Sequence, residues 1–344
     1  MISIGQPGRF RLASMLLAGA LSLGASAALA QQKLETFTVS AVTNADPSHW
    51  AIQLIKERKL DEKHGFDLQF NLKPTSVAYA EFVNGTDPVC LCLTIATAAR
   101  FKLEGVDVSL LSTYQNYTGA YLVTENEGIT TPSDLKGHTL AASTGSGSWV
   151  FQQYFLREHQ GVDLSAVDKP SIVASAQATN IIAKRVDAIT VFDDGRLKLD
   201  AAEPGRFRYI LTFDKEKWKS VTGVDYVPMF MLGARTGWLK QPENAALLSR
   251  FQAAYGDAID QLIANPAAVA DALGEKRTIA PKSFLVDFVT NYPQAGKVVT
   301  ASELRPAIFA LTQKILPGTG LIDRALTDAE ADELIGTYQP QNGG

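Results

Sequence analysis

An α/β protein of two successive units, each a parallel sheet flanked by helices, is the fold class this sequence predicts. Three observations carry the prediction. Apolar strand patterns and helix patterns alternate from Glu35 to Leu111 at the spacing of β–α–β units. The same alternation starts afresh at Pro132 and runs to Thr212. Two extended apolar stretches, residues 116–125 and 227–232, join the units.

In chain order, residues 35–42 (ETFTVSAV) alternate Phe37, Val39 and Ala41 with Thr and Ser, the period of a half-buried strand. Asp46 followed by Pro47 opens a helix, the aspartate as N-cap and the proline at the first helical position. Ala51, Leu54 and Ile55 form its buried stripe. A strand over 67–72, a short helix over 78–83, a strand over 90–93, a helix over 94–103 and a strand over 108–111 follow. In the second unit, strands are expected over 138–142, 172–174, 187–192 and 209–212, with helices over 150–161 and 176–184. Beyond Pro242 the pattern is helical, over 245–264, 267–273, 284–290, 304–316 and 328–338.

Residues 1–30 stand apart. Arg9 and Arg11 precede an uncharged stretch, and Ala28-Leu29-Ala30 offers small residues where a signal peptidase cuts, so a signal peptide cleaved near Ala30 is expected. Its loss removes two of the 32 basic residues and none of the 36 acidic ones, moving the net charge from −4 to −6. Mild acidity without basic runs speaks against nucleic-acid or anionic-membrane partners. The two cysteines are Cys90 and Cys92. On a regular strand they face the same way, where a relaxed disulfide is awkward, so two small core side chains are expected. The C-x-C spacing does not suit zinc, nor do the positions of His49 and His64. No metal and no cofactor are expected.

The most informative stretch is residues 140–155, LAASTGSGSWVFQQYF, which reads as strand, tight loop and helix. The first N–H groups of such a helix lack partners within it and carry the positive end of its dipole. An acidic group placed there is held by backbone donors and by the hydroxyls of Ser143, Thr144, Ser146 and Ser148, without Lys or Arg. The same serines can equally serve as ordinary helix caps.

Several stretches together carry a resemblance. They are Asp134-Leu135-Lys136-Gly137 with the strand, loop and helix after it, Arg185-Val186-Asp187-Ala188-Ile189, Gly65-Phe66-Asp67-Leu68, and residues 238–266. In this order the chain resembles the solute-binding proteins of ABC importers, in the nitrate/sulfonate/taurine and thiamine-pyrimidine-precursor branch. The resemblance implies a type II periplasmic binding fold, two α/β lobes joined by a two-segment hinge with a cleft between them. Residues 33–119 plus 225–340 would form lobe I, and 120–224 lobe II. It implies a monomer that captures a small polar organic solute in the periplasm and delivers it to an inner-membrane permease and its ATPase.

By position, the resemblance implies ligand contacts at Asn44, His49, Trp50, Thr94, Thr97, Tyr117, Ser143, Thr144, Ser146, Gly147, Ser148, Trp149, Asp193 and Asp194. Trp50 and Trp149 open helices and can either stack on a ligand or belong to the core. Asp193 and Asp194 follow an apolar strand and cannot both be buried without partners; one can meet an amine or ring N–H, the other Arg196 or water. No Lys or Arg falls on a pocket loop in this mapping. An enzyme is the competing class: relatives of the fold act in thiamine-pyrimidine metabolism. A ligand-sensing domain is a third. Gly145-Ser146-Gly147 lacks the outer glycines of a nucleophile elbow, no phosphate loop is present, and no catalytic residue is expected.

Overall fold

The structure, a computed structural model, describes Met1, residues 34–43 and residues 45–336. The signal-peptide expectation and Asn44 fall outside the described residues, Met1 apart. Strand β1 (Glu35–Val42) leads to α1 (Pro47–Glu57), α2 (Leu60–Lys63), β2 (Phe66–Lys73), α3 (Thr75–Asn84), β3 (Val89–Leu93), α4 (Ile95–Leu103) and β4 (Ser109–Tyr117). The chain then enters β5 (Gly119–Thr124), β6 (Leu140–Ala141), α5 (Gly147–Glu158), α6 (Ala174–Ile182), β7 (Ala188–Phe192), α7 (Asp193–Ala202), β8 (Arg208–Asp214) and α8 (Lys215–Thr222). It closes with β9 (Val227–Ala234), α9 (Thr236–Leu239), α10 (Pro242–Ala264), α11 (Pro266–Thr278), α12 (Lys282–Asn291), α13 (Arg305–Ala310) and α14 (Asp328–Glu333).

Two sheets result, β2-β1-β3-β9-β4 and β6-β7-β5-β8. The chain passes from the first to the second at Thr118 and returns through α8. Neither sheet is wholly parallel. β9 runs antiparallel to both β3 and β4, and β5 antiparallel to β7 and β8, because these strands enter their sheets from the crossings rather than through a β–α–β turn. Residues 172–174 do not form the expected strand; a single bridge at Ser171 pairs with Ala142, and α6 starts at Ala174.

The cysteine expectation is corrected. Cys90 and Cys92 form a disulfide, with Cα atoms 5.3 Å apart. The register of β3 against β9 shifts between Leu91 and Leu93, so Cys92 is an extra residue in a bulge. A bulge bends the strand and draws i and i+2 together, which the regular-strand assumption did not allow.

Apolar burial fixes the layers. One cluster packs Phe37, Trp50, Phe66, Phe251, Tyr255 and Phe288 between the first sheet and α1, α10 and α12. A second joins the lobes: Val150, Phe151 and Phe155 of α5, with Phe213 and Trp218, share an interior with Ile308, Leu311 and Ile315. Gln153 Nε2 and Arg157 Nη1 add donations to Thr319 O (3.0 Å) and Gly318 O (3.1 Å) on the same seam.

Asp134, in the D-L-K-G stretch, is a turn lock. One carboxylate oxygen accepts from the N–H and hydroxyl of Thr130 (3.0 and 2.9 Å) and of Thr131 (2.8 and 3.0 Å). The Thr131 N–H, then the other three donors, hold its pKa down, from 3.8 to about 2. A carboxylate with a depressed folded pKa adds stability above its unfolded value and loses it as pH falls through the folded one. Asp134→Asn should therefore melt below wild type at pH 7. The gap should close between about pH 4 and pH 2 in paired thermal melts; a pH-independent gap would contradict this role.

Candidate functional site

A cavity of about 410 Å³ opens at the start of α5 and α7 beside the crossing strands. Its polar lining includes Ser143, Ser148, Gln152, Gln177 and Thr190. Trp149, Phe192, Phe230 and Tyr117 supply aromatic walls, and Asp194 and Lys198 are the charged liners. The volume suits a small organic molecule.

The α5 end is built by its cap. Ser146 Oγ donates to Ser143 O (2.8 Å), accepts from the Trp149 N–H (3.3 Å) and lies 2.7 Å from Ser148 Oγ. With its own proton on Ser143, Ser146 must accept from Ser148. Its hydroxyl is thus consumed as a helix cap and does not line the cavity, whereas Ser143 and Ser148 do. The N–H groups of Gly147 and Ser148 have no carbonyl to meet within the helix, so this rim favours an acidic group.

Gly147 performs a second task. A Cβ placed there would stand 2.6 Å from Thr94 Oγ1 and 3.3 Å from Thr94 Cβ and Cγ2. The lobes therefore touch where α4 and α5 begin, and only glycine permits the approach. Thr94 cannot easily yield. Its hydroxyl accepts from the Thr97 N–H (3.0 Å) while Thr97 Oγ1 accepts from the Thr94 N–H (2.9 Å), a reciprocal capping box that buries both threonines.

At the opposite wall α7 begins with two aspartates, which suits the positive end of a helix. Asp193 accepts from the N–H (2.7 Å) and hydroxyl (3.1 Å) of Thr118, tying α7 to the crossing. Burial pushes its carboxyl up, and the Thr118 donors oppose that. Asp194 faces the cavity and pairs with Lys198 at 3.0 Å. Lys198 Nζ also lies 5.4 Å from the ring centre of Phe284, on the other lobe. Tyr117 stacks on Phe192 with ring centres 4.6 Å apart and accepts from Gln115 Nε2 at 2.8 Å. Burial first, then the charges of Asp194 and Asp46, hold its phenol well above the ordinary value, so it remains a hydrogen-bond donor.

Of the sequence-predicted contacts, Tyr117, Ser143, Ser148, Trp149 and Asp194 are brought together around the cavity. Others are placed elsewhere. Trp50 is a core residue, fully buried against Phe284 and Phe288 with Nε1 donating to Thr278 O at 3.0 Å. His49 is also buried, and its Nε2 donates to Arg277 O at 2.8 Å. Thr144 donates to Ser171 Oγ on the exposed side. Thr94, Thr97, Ser146, Gly147 and Asp193 act as caps, contact and tie as described. Arg196 is not the partner of either aspartate; it lies over the Tyr121 and Tyr209 rings at 5.1 and 5.3 Å. Sequence reasoning missed Gln152, Lys198, Phe230 and Thr190, among others. The signal for the first two was helical spacing: each stands four residues beyond a predicted contact, Ser148 and Asp194, on the same helix face.

Among the described residues, no group of three or more His, Cys, Asp or Glu could hold a metal ion, and no helix is long and apolar enough to cross a membrane.

This architecture, two mixed α/β sheets linked by crossing strands, is the periplasmic binding protein fold. The aliphatic sulphonate binding protein SsuA of Escherichia coli superposes with a TM-score of 0.67 at 14% identity, covering 90% of this chain and 94% of that one. The alkanesulfonate-binding protein SsuA of Xanthomonas axonopodis, solved bound to MOPS, gives 0.62 at 15% identity over 84% and 96%. The Candida albicans CA3427 product, described as having the generic periplasmic binding protein fold, gives 0.61 at 15% identity over 90% and 99%. No curated protein sequence matches. The family profile described as NMT1/THI5 like matches residues 62–269, more than half of the chain. The chain belongs to the NMT1/THI5-like family.

Proposed function

We propose that this protein is the solute-binding component of an ABC importer. It captures a small polar organic solute by lobe closure in the periplasm and hands it to a membrane permease. The observation that carries the reading is the cavity itself. It is lined by the second lobe together with Tyr117, Met229 and Phe230 of the crossing strands, with hydroxyls at the start of α5 at one end, aromatic walls, and charges limited to the Asp194–Lys198 ion pair. Such a site suits an acidic head on an organic body better than a bare inorganic anion. The sulfonate-binding proteins among the structural neighbours support the acidic head.

A thermal-shift screen of sulfonates, amino acids, pyrimidines and aromatic acids tests this. A solute at 100 times its dissociation constant adds about 2.7 kcal/mol of stability, enough to raise the melting temperature by several degrees. A rise for one class with no turnover of the hit is the expected result. Turnover would overturn the reading in favour of an enzyme, and no rise for any class would overturn solute capture.

A further inference from the structure

Gln152 is the residue whose surroundings a purely structural role does not explain. Its side chain is 2% exposed, yet Oε1 has no hydrogen-bond partner and neither amide atom bonds to any described residue. The other buried glutamines each make one bond: Gln115 donates to Tyr117, although its Oε1 also lacks a partner, and Gln177 donates to Ile172 O. Burying an amide without partners carries a free-energy penalty and is found where something else completes it. Gln152 lines the cavity, so the missing partner belongs to its occupant.

Its place on α5 gives the distance. Gln152 follows Ser148 by four residues, one turn along the same face, which is about 6 Å along the axis. Trp149 stands between them in sequence, and Phe192 and Phe230 line the same cavity. An occupant with its acidic head on the start of α5 thus presents its next polar group to Gln152 across a stretch walled by rings. We propose that Gln152 is the specificity-determining residue of the cleft. The solute it selects is a compact aromatic acid with an uncharged hydrogen-bonding group, such as an amine or hydroxyl, about 6 Å from the acid. The assignment rests on the solute-binding reading of the same cavity. A site built to hydrogen-bond a substituent discriminates against the analogue without it, because the buried amide is then left unpaired.

The test is calorimetry on the mature chain with two pairs of probes, 4-aminobenzenesulfonate against benzenesulfonate and 4-aminobenzoate against benzoate, with ethanesulfonate as the aliphatic control. Wild type should prefer the amino compound of at least one pair by about tenfold or more. Gln152→Met keeps length and volume while removing the amide. It should bring that ratio to about one without weakening the unsubstituted acid, and its ligand-free melting temperature should be no lower than wild type. A structural role would move both affinities together and leave the ratio alone. A wild-type ratio of one, or a ratio retained in Gln152→Met, overturns the proposal. Binding of ethanesulfonate or of any other screened class, but of neither aromatic pair, overturns it while leaving solute capture standing. Binding of none of these probes, nor of any other screened class, overturns both.

Discussion

Gly147→Ala is expected to weaken solute capture by roughly 5- to 150-fold while the protein still folds. The added methyl would lie 2.6 Å from Thr94 Oγ1, an atom fixed by its own capping box. Overpacking of this kind costs about 1–3 kcal/mol when neighbours cannot move. Separating the lobes relieves the clash, so the penalty falls on the closed arrangement rather than on each lobe. A closed state raised by that amount lowers apparent affinity by the corresponding factor. Calorimetry with the screened solute reads the affinity, and small-angle scattering reads an increased radius. Thr94→Ala in the same chain removes Oγ1 and Cγ2 and should restore much of the affinity, although the lost cap costs about 1 kcal/mol of stability. Wild-type affinity in the single variant would show that the two helix starts do not meet in the working molecule.

Ser148→Asp should lower affinity for an acidic solute about 100-fold or more and leave stability unchanged or slightly improved. The new carboxylate would stand at the second position of α5, where the helix dipole favours negative charge by about 0.3–1 kcal/mol. It would also face the cavity, because Ser148 does. Two negative charges about 5 Å apart at an effective dielectric of about 20 repel by roughly 3 kcal/mol, and each 1.4 kcal/mol is tenfold. The opposite signs on stability and binding are what separate a ligand contact from a cap. Thermal melts of the empty protein and titration with the solute measure the two. An acidic solute that binds Ser148→Asp as it binds wild type would place its head elsewhere.

Much of the fold was legible because local signals and packing agree. Asp46 caps α1 ahead of Pro47 as read, accepting from the His49 N–H at 3.0 Å, and Ser146 caps α5. The unread pieces had weak or shared signals. Helix α8, KEKWKSVT, is strongly polar and held chiefly by Trp218, so apolar periodicity gave no cue. Trp50 and Trp149 both open helices, and nothing local says which one faces a cavity; the packing of α12 against α1 decides it for Trp50. The disulfide depends on a bulge set by the register of β9, more than a hundred residues away in sequence. Gln152 and Lys198 lie one turn inside helices, where a search restricted to strand-end loops does not look.

Phe151, Phe155, Phe213 and Trp218 belong by sequence to the second lobe, yet they share one interior with Ile308, Leu311 and Ile315 of the first. Prising them apart would wet several rings and side chains, at about 1.5–3 kcal/mol each. Rotation between the halves is easiest where it leaves the body of that seam shut, so the seam serves as an axle that begins one turn in from the Gly147–Thr94 contact. On the far flank the contact of Lys198 with Phe284 is a much smaller obstacle to such a rotation.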